Sequence, residues 1–273
     1  MIEIKELYKR FGDKEVLRGV NLTIQKGETL VIIGRSGCGK SVLLKHIIGL
    51  LEPDSGEIFI EGKDIVNMTD KEIYALRSKF GFLFQGAALF DSMSVGENVG
   101  LALKENTNMS KEEIANVVAE KLSIVGLEGI EEMRPADLSG GMKKRVSLAR
   151  SLATNPEYIF YDEPTTGLDP VMSDQIDDLI NELAEKLKVT SIVVTHDIFS
   201  VYDVADRVAM MHEGKIYFVG TPKELIDTDD KLIRDFLHRT DKSLEIEELK
   251  EEAAEEREER EVRKEELKKN SKA

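Results

Sequence analysis

Eight residues beginning at Gly34 have the composition and spacing of a loop that binds phosphate. The run fits the pattern G-x-x-x-x-G-K-S and consists of Gly34, Arg35, Ser36, Gly37, Cys38, Gly39, Lys40 and Ser41. Glycines let the backbone curl so that successive N–H groups point at phosphate oxygens. Lys40 would reach the β- and γ-phosphates, and the Ser41 hydroxyl would bind Mg²⁺. The run therefore predicts a site for a nucleoside triphosphate and Mg²⁺, with an ordinary glycine turn as the alternative.

Two adjacent carboxylates, Asp162 and Glu163, follow the apolar run Tyr158–Tyr161. Asp162 could hold Mg²⁺ through water, and Glu163 could orient and deprotonate an attacking water molecule. An Asp-Glu pair after an apolar run is often only the end of a strand. Its combination with a phosphate-binding loop is what favours hydrolysis.

Two further polar residues stand at the ends of apolar runs. His196 follows Ser191–Thr195 and could contact the γ-phosphate or the attacking water, although a histidine at a strand end is commonly structural. Gln85 follows Phe80–Phe84 and could touch Mg²⁺ or the water. Cys38, by contrast, is interpreted as a small loop residue, because a nucleophilic cysteine would need partner residues that the sequence does not show.

The elements that must position these residues alternate between strands and helices. The patterns predict a helix from Gly39 to about Leu51, stopped by Pro53, and a mostly helical block at residues 87–153. They also predict a helix over Val171–Leu187. The predicted strands of the first third are Glu3–Tyr8, Gly19–Ile24, Thr29–Ile33 and Glu57–Ile60. Strands alternating with helices indicate an α/β fold with a parallel sheet.

Length and composition limit the possible classes of protein. The 273 residues suffice for one large domain, and the net charge of −15 argues against a nucleic-acid partner. No run reaches about 18 consecutive apolar residues, so a transmembrane helix is not expected, and the first residues lack a signal-peptide pattern. The segment 241–273 holds 13 acidic and 9 basic residues, which predicts a charged, helix-forming extension without its own core.

A third anion-binding feature is the run Leu138–Met142, in which Ser139, Gly140 and Gly141 would open a helix. Alone it would be an ordinary helix cap. Together with the other motifs it resembles the ABC ATPase family: Gly34–Ser41 looks like the Walker A loop, and Tyr158–Glu163 looks like Walker B. Leu138–Met142 looks like the signature, although Met142 stands where the family usually has Gln.

The resemblance extends to the smaller motifs of that family over about residues 2–240. Gln85 resembles the Q-loop residue, His196 the switch histidine, and Asp169 the end of the D-loop. Phe11 matches the aromatic residue that stacks on adenine. The implied fold is α/β, a P-loop NTPase of ABC type. It has a mostly parallel core sheet, an antiparallel β subdomain and a helical subdomain at about residues 87–155 within an ATPase domain of residues 1–240.

The resemblance also implies a mechanism. Two copies would meet head to tail and enclose ATP and Mg²⁺ between the Walker A loop of one copy and the Ser139 signature of the other. An integral membrane permease, and possible accessory cytoplasmic subunits, would complete the complex. The chain would then sit at the cytoplasmic face of the inner membrane.

A finer resemblance points to a subgroup. The run Phe84–Ser92 and the Met142 ending are similar to ATPases that serve Mce-type lipid transporters, such as the Mla phospholipid system, so an Mce-type lipid-binding protein is an implied partner. The alternatives are an ABC ATPase for another cargo, such as amino acids or lipoproteins, and a soluble iron–sulfur-assembly type. A regulatory nucleotide binder without turnover is disfavoured by the presence of Glu163 and His196.

Overall fold

The computed structural model describes residues 1–240, and for residues 239 and 240 it describes the backbone alone. The predicted extension 241–273 therefore lies outside the described residues. Ten strands alternate with helices in this part of the chain. The strands are β1 (Ile2–Phe11), β2 (Lys14–Ile24), β3 (Thr29–Ile33), β4 (Ser55–Ile60), β5 (Lys63–Asp64), β6 (Phe80–Leu83), β7 (Tyr158–Asp162), β8 (Thr190–Val194), β9 (Arg207–His212) and β10 (Lys215–Gly220).

The core sheet has six strands in the order β10-β9-β3-β8-β7-β6. All neighbours pair in parallel except β10, which runs antiparallel to β9 at one edge. Every residue of β3 and β8 is buried, because helices cover both faces of a parallel sheet. This continuous burial explains why the sequence shows unbroken apolar runs there and no alternation.

A second sheet, β2-β1-β4-β5, is antiparallel throughout. Its strands alternate between buried apolar and exposed residues, as in Ile2, Ile4, Ile58 and Ile60, which pack into the same core as β3. The predicted mostly parallel core with an antiparallel β subdomain is therefore confirmed.

The helices are α1 (Lys40–Ile47), α2 (Asp70–Arg77), α3 (Val95–Asn106), α4 (Lys111–Ile124), α5 (Gly140–Leu152), α6 (Pro170–Leu187), α7 (Ile198–Val204), α8 (Pro222–Asp227) and α9 (Lys231–Thr240). Helices α3, α4 and α5 pack on one another and form the helical block between β6 and β7. Three helices in succession begin with a capping box, in which a hydroxyl and a Glu side chain satisfy each other's backbone N–H groups; the pairs are Thr69 with Glu72, Ser94 with Glu97, and Ser110 with Glu113.

Helix α1 is shorter than its pattern predicts. It ends at Ile47, and the prediction that it continues to Leu51 is wrong. Gly49 adopts a left-handed conformation with φ of +66°, and its N–H donates to the carbonyl of His46. The N–H of Leu50 donates to the carbonyl of Lys45, which closes the last turn. Gly49 therefore stops the helix before Pro53 can act.

Residues Met1–Pro222 form one compact unit, and a second unit begins at Lys223 and includes α9. Within residues 1–240, none of the helices combines the length and the hydropathy that crossing a bilayer requires.

A buried carboxyl, Asp177, lies on the inner face of α6. Its Oδ2 accepts a hydrogen bond of 2.7 Å from the Ser200 hydroxyl of α7, whereas its Oδ1 has no hydrogen-bond partner among the described residues. The Ser200 hydroxyl in turn lies 3.5 Å from the hydroxyl of Thr165, in the loop after β7. Burial raises the pKa of Asp177 to about 8, and nearby acidic residues add to the effect.

Asp177 predicts a pH dependence of stability. Its pKa is about 8 in the folded chain and 3.8 without the fold, so folding takes up a proton between these values and stability falls as pH rises through that window. Asp177→Asn should remove this dependence and raise Tm at pH 9 by more than about 3 °C.

The matched control is Asp178→Asn, the exposed neighbour on the same helix. Thermal melts of the three proteins at pH 5, 7 and 9 provide the measurement. Equal Tm at pH 9 for the Asp177→Asn protein and the unmodified chain would show that Asp177 ionises without cost.

Candidate active site

The predicted site residues lie at the carboxyl ends of four neighbouring strands. Gly34 follows β3, His196 follows β8, Glu163 follows β7, and Gln85 follows β6. The parallel register pairs Ile32 of β3 with Val194 of β8, which pairs with Asp162 of β7. In an open α/β sheet this edge is where ligands bind. The sheet therefore collects at one edge four residues that are far apart in sequence.

The predicted phosphate-binding loop, Gly34–Ser41, begins directly after β3 and needs glycine at two positions for steric reasons. Gly34 has φ of +145°, and a Cβ there would lie 2.3 Å from the carbonyl oxygen of Met211. Gly39 has φ of +113°, and a Cβ there would lie 3.0 Å from the carbonyl oxygen of Val16. A Cβ on Gly37 would meet nothing within 4 Å, so packing does not require glycine there, although its φ of +78° favours glycine.

Lys40 is held by its own loop. Its ammonium donates to the carbonyl oxygens of Gly34, at 2.6 Å, and Arg35, at 3.3 Å. Arg35 and Ser36 are exposed at the tip of the loop. Cys38 is half-buried, and burial raises the pKa of its thiol, so its environment does not favour the reactive thiolate.

The carboxylates of Asp162, the last residue of β7, and of Glu163, which follows it, are partly buried. Burial raises the pKa of Asp162, and the adjacent charge of Glu163 adds to the effect. The Oε2 atom of Glu163 accepts a hydrogen bond of 3.0 Å from the Thr166 hydroxyl and lies 2.7 Å from Nδ1 of His196. The structure thus brings the predicted base and the predicted switch histidine into direct contact.

Three side chains carry oxygen atoms that are suited to binding Mg²⁺. The side chains of Ser41, Gln85 and Asp162 make no hydrogen bond to another residue of the described chain. No cluster of three His, Cys, Asp or Glu ligands occurs within residues 1–240. A hydroxyl, an amide and a carboxylate are all hard oxygen ligands, which fits Mg²⁺ completed by phosphate and water.

Three other predicted contacts lie apart from these strand ends. Ser139 is the N-cap of α5, and its hydroxyl accepts from the N–H of Met142 at 3.2 Å; Gly140 and Gly141 form the first turn. Within residues 1–240, no hydrogen bond joins this turn to the loop Gly34–Ser41. Asp169 is the N-cap of α6 and accepts from the N–H of Met172. Phe11, at the end of β1, is 47% exposed, and the Lys9 ammonium lies 5.7 Å from its ring centroid.

Sequence reasoning missed two residues that contact the site. The Thr166 hydroxyl donates to the carboxylate of Glu163, and the ammonium of Lys144, on α5, donates to the backbone carbonyls of Gln85 and Glu163. Lys144 has helical spacing with Gly141 and Leu148, both of which are buried. A lysine on the buried face of a helix was the signal that could have identified it.

Comparisons with known proteins point to one family. The profile of the ABC transporter family matches residues 17–166. The chain is 42% identical over 237 residues to the probable ribonucleotide transport ATP-binding protein mkl of Mycobacterium tuberculosis, covering 87% of this chain and 66% of that protein. It is 40% identical over 237 residues to the intermembrane phospholipid transport system ATP-binding protein MlaF of Haemophilus influenzae, covering 87% of this chain and 90% of that protein.

A solved structure agrees with these relatives. The chain superposes on the ATP-binding cassette MJ0796, in a dimeric post-hydrolysis state bound to ADP and Pi, with a TM-score of 0.74 and 34% identity. The match covers 81% of this chain and 99% of that one. The described fold is therefore that of an ATP-binding cassette.

The packing around Gly34 predicts a stability loss on substitution. Gly34→Ala places a methyl group against the Met211 carbonyl and should destabilise the chain by at least about 2 kcal/mol. Gly86→Ala is the matched control, because a Cβ on Gly86 meets nothing within 4 Å. Urea unfolding of both variants measures the difference. Equal midpoints would contradict the close approach of the loop to β9.

Proposed function

The chain belongs to the ABC transporter family as an ATP-hydrolysing subunit, and from this premise we propose that its ATPase cycle drives phospholipid movement by a membrane permease. The observation that supports its part in this cycle is the contact of Glu163 and His196, which follow strands β7 and β8, while the glycine loop follows the adjacent strand β3. The proposed ATPase domain comprises residues 1–240, with its helical subdomain at about residues 87–155.

The nucleotide would bind through the loop Gly34–Ser41. Lys40 would exchange its two carbonyl partners for the β- and γ-phosphates, and the adenine would stack on exposed Phe11. Ser41, Gln85 and Asp162, whose oxygens are free, would hold Mg²⁺. When bound, Mg²⁺ neutralises charge on the phosphates and stabilises the transition state.

Glu163 is the proposed general base. Its carboxylate is partly buried at the end of β7 and would accept a proton from the water that attacks the γ-phosphate. The Thr166 hydroxyl and His196 fix the orientation of Oε2. His196 is largely exposed, so it could turn from Glu163 towards the γ-phosphate when nucleotide binds.

The second copy would complete the site. Cassettes of this kind dimerise, as the related MJ0796 structure shows. We propose that the first turn of α5, at Ser139, Gly140 and Gly141, binds the γ-phosphate held by the partner. Its free N–H groups and helix dipole suit an anion. This explains why the turn makes no hydrogen bond to the loop of its own chain, and the exposed Asp169 would lie near the same interface.

The surface beside Gln85 is the proposed docking site for the permease. Phe84 and Phe90 are 44% and 50% exposed, and Leu89 between them is half-buried. The buried Asn98 side chain bonds both the N–H and the carbonyl of Phe90, so this apolar surface is held rigidly. A short cytoplasmic helix of the permease would fit here, which would place the chain at the cytoplasmic face of the inner membrane.

Phospholipid is preferred as cargo because the relative named for phospholipid transport matches over nearly its full length. An accessory cytoplasmic subunit and an Mce-type lipid-binding protein would complete such a complex. The mycobacterial relative named for ribonucleotide transport supports a second candidate cargo, although this chain spans only 66% of that protein.

Glu163 and Lys40 should have separable effects. Glu163→Gln should bind ATP with unchanged affinity but lower kcat at least about a hundredfold, because the water loses its base. Lys40→Ala should instead weaken ATP binding. Turnover by a coupled phosphate assay and binding of a fluorescent ATP analogue measure the two effects.

Light scattering adds a control on assembly. The Glu163→Gln chain should dimerise when ATP is added, whereas Lys40→Ala should stay monomeric. Turnover of the Glu163→Gln chain close to that of the unmodified protein would remove Glu163 from its role.

The cargo can be tested on the complex purified from native membranes through a tag on this chain. We expect mass spectrometry to find bound glycerophospholipid, and phosphatidylethanolamine vesicles to raise the ATPase rate. Ribonucleotides serve as the control addition. Stimulation by ribonucleotides, or a lipid-free complex indifferent to vesicles, would refute a phospholipid cargo and leave the ATPase activity standing.

A further inference from the structure

Lys144 is a buried cation whose ammonium forms no ion pair within residues 1–240. Its side chain lies on α5, four residues after Gly140, and the residue is only 5% exposed. The ammonium donates to two backbone carbonyls, those of Gln85, at 2.5 Å, and Glu163, at 3.2 Å. Burying an ammonium costs free energy, and the nearby charges of Glu163 and Asp162 offset part of that cost. In addition, the two hydrogen bonds fix the positions of the carbonyls that accept them.

The two carbonyls belong to loops that carry the catalytic side chains. Gln85 is the second residue after β6, and Glu163 is the first residue after β7. One ammonium therefore joins both loops close to the strand ends at which they start. Because β6 and β7 are neighbours in the sheet, a single side chain on the covering helix can reach both.

Both loops contain residues in strained backbone conformations. Glu163 has φ of 52°, and Ala87 and Ala88 have φ of 59° and 50°. Non-glycine residues in this region cost about 1–3 kcal/mol each unless the surroundings hold them. Both backbone polar groups of Glu163 are hydrogen-bonded. Its N–H donates to the Val194 carbonyl at 2.8 Å, and its C=O accepts from Lys144.

A second cation of α5 holds the other strained turn. The Arg150 guanidinium donates to the carbonyls of Ala88, at 2.7 Å, and Ala87, at 3.0 Å. The helix that begins with the Ser139 turn thus grips the segment from Gln85 to Ala88 at three carbonyls and the Glu163 loop at one. Lys144 is the contact that joins the two loops to each other.

We propose that Lys144 is a positioning residue for ATP hydrolysis, which holds the Glu163 loop and the Gln85 loop in a fixed relation through their backbone carbonyls. It touches neither the reacting water nor the nucleotide. The proposal rests on the base role of Glu163, so the Glu163→Gln chain is measured beside it.

The test compares two buried lysines in full-length protein. Lys144→Met keeps the length of the side chain and removes the donors, and it should lower kcat by about tenfold to a hundredfold with unchanged KM for ATP. Lys121→Met is the matched control, because Lys121 is 6% exposed on α4 and, within residues 1–240, its ammonium donates to Glu120 and Asn155 and to neither loop. It should lose stability and keep its kcat.

Hydrogen–deuterium exchange gives a readout that does not depend on turnover. In Lys144→Met, peptides that span Gln85–Ala88 and Glu163 should exchange faster, whereas in Lys121→Met they should not. Lys144→Gln, which keeps two N–H donors without the charge, should restore most of kcat and the slow exchange.

The outcomes separate cleanly. Unchanged kcat in Lys144→Met, or an equal fall of kcat in both lysine variants, would overturn the proposal, as would failure of Lys144→Gln to improve on Lys144→Met. If Lys144→Met does not fold, the Lys144→Gln chain provides the test. Slow hydrogen–deuterium exchange at both loops together with near-normal kcat would support the positioning role. Fast exchange at the loops together with normal kcat would refute it. Normal turnover in Glu163→Gln would instead point to failure of the proposed base.

Discussion

The parallel hydrogen-bond ladder that joins β3, β8, β7 and β6 is the constraint on which the rest of the molecule depends. Parallel strands all end at the same edge, so the residues after each strand are brought together whatever their separation in sequence. The register fixes how far each loop starts from the next. The position of each predicted site residue then depends on the conformation of the loop that follows its strand. The buried apolar strands beneath these loops supply a rigid base.

Above that base, polar contacts help to hold the loops in place. Glu163 lies in a left-handed backbone conformation, and its contacts come from two other parts of the chain. The end of β8 and the segment after it contact its N–H and its carboxylate, through Val194 and His196, and α5 contacts its C=O through Lys144. Lys40 donates to carbonyls of its own loop, which it would exchange for phosphate oxygens in the proposed nucleotide complex. The proposed site therefore combines a carboxylate that is already held in position with a lysine whose partners are exchangeable. In the proposed cycle, binding and hydrolysis would then depend on different parts of the chain.

The sequence was sufficient for those features that depend on local patterns. Apolar runs ended by Gly34, Gln85, Asp162 and His196 predicted strand ends, and strand ends of a parallel sheet must meet at one edge. It was insufficient where tertiary packing decides. Helix α1 stops at the left-handed Gly49, and no rule of spacing indicates which glycine will adopt that conformation. Asp177 resembles its exposed neighbour Asp178 in sequence, and only the packing of α6 against α7 buries it. The reach of Lys144 to two loops likewise follows from the placement of α5 over β6 and β7.

The strand order also has a consequence for synthesis on the ribosome. β3, every residue of which is apolar or buried, lies between β8 and β9, whose first residues are Thr190 and Arg207. A chain that emerges from its N-terminus at about 5–20 residues per second must therefore carry this strand unpaired until most of the domain has been translated. Helices with local capping boxes can form during that interval, because their start signals lie within a few residues. Among the parallel core strands, β3 thus waits through the longest stretch of synthesis for its partners, so a segment that is buried in the folded protein stays exposed on the nascent chain during that time.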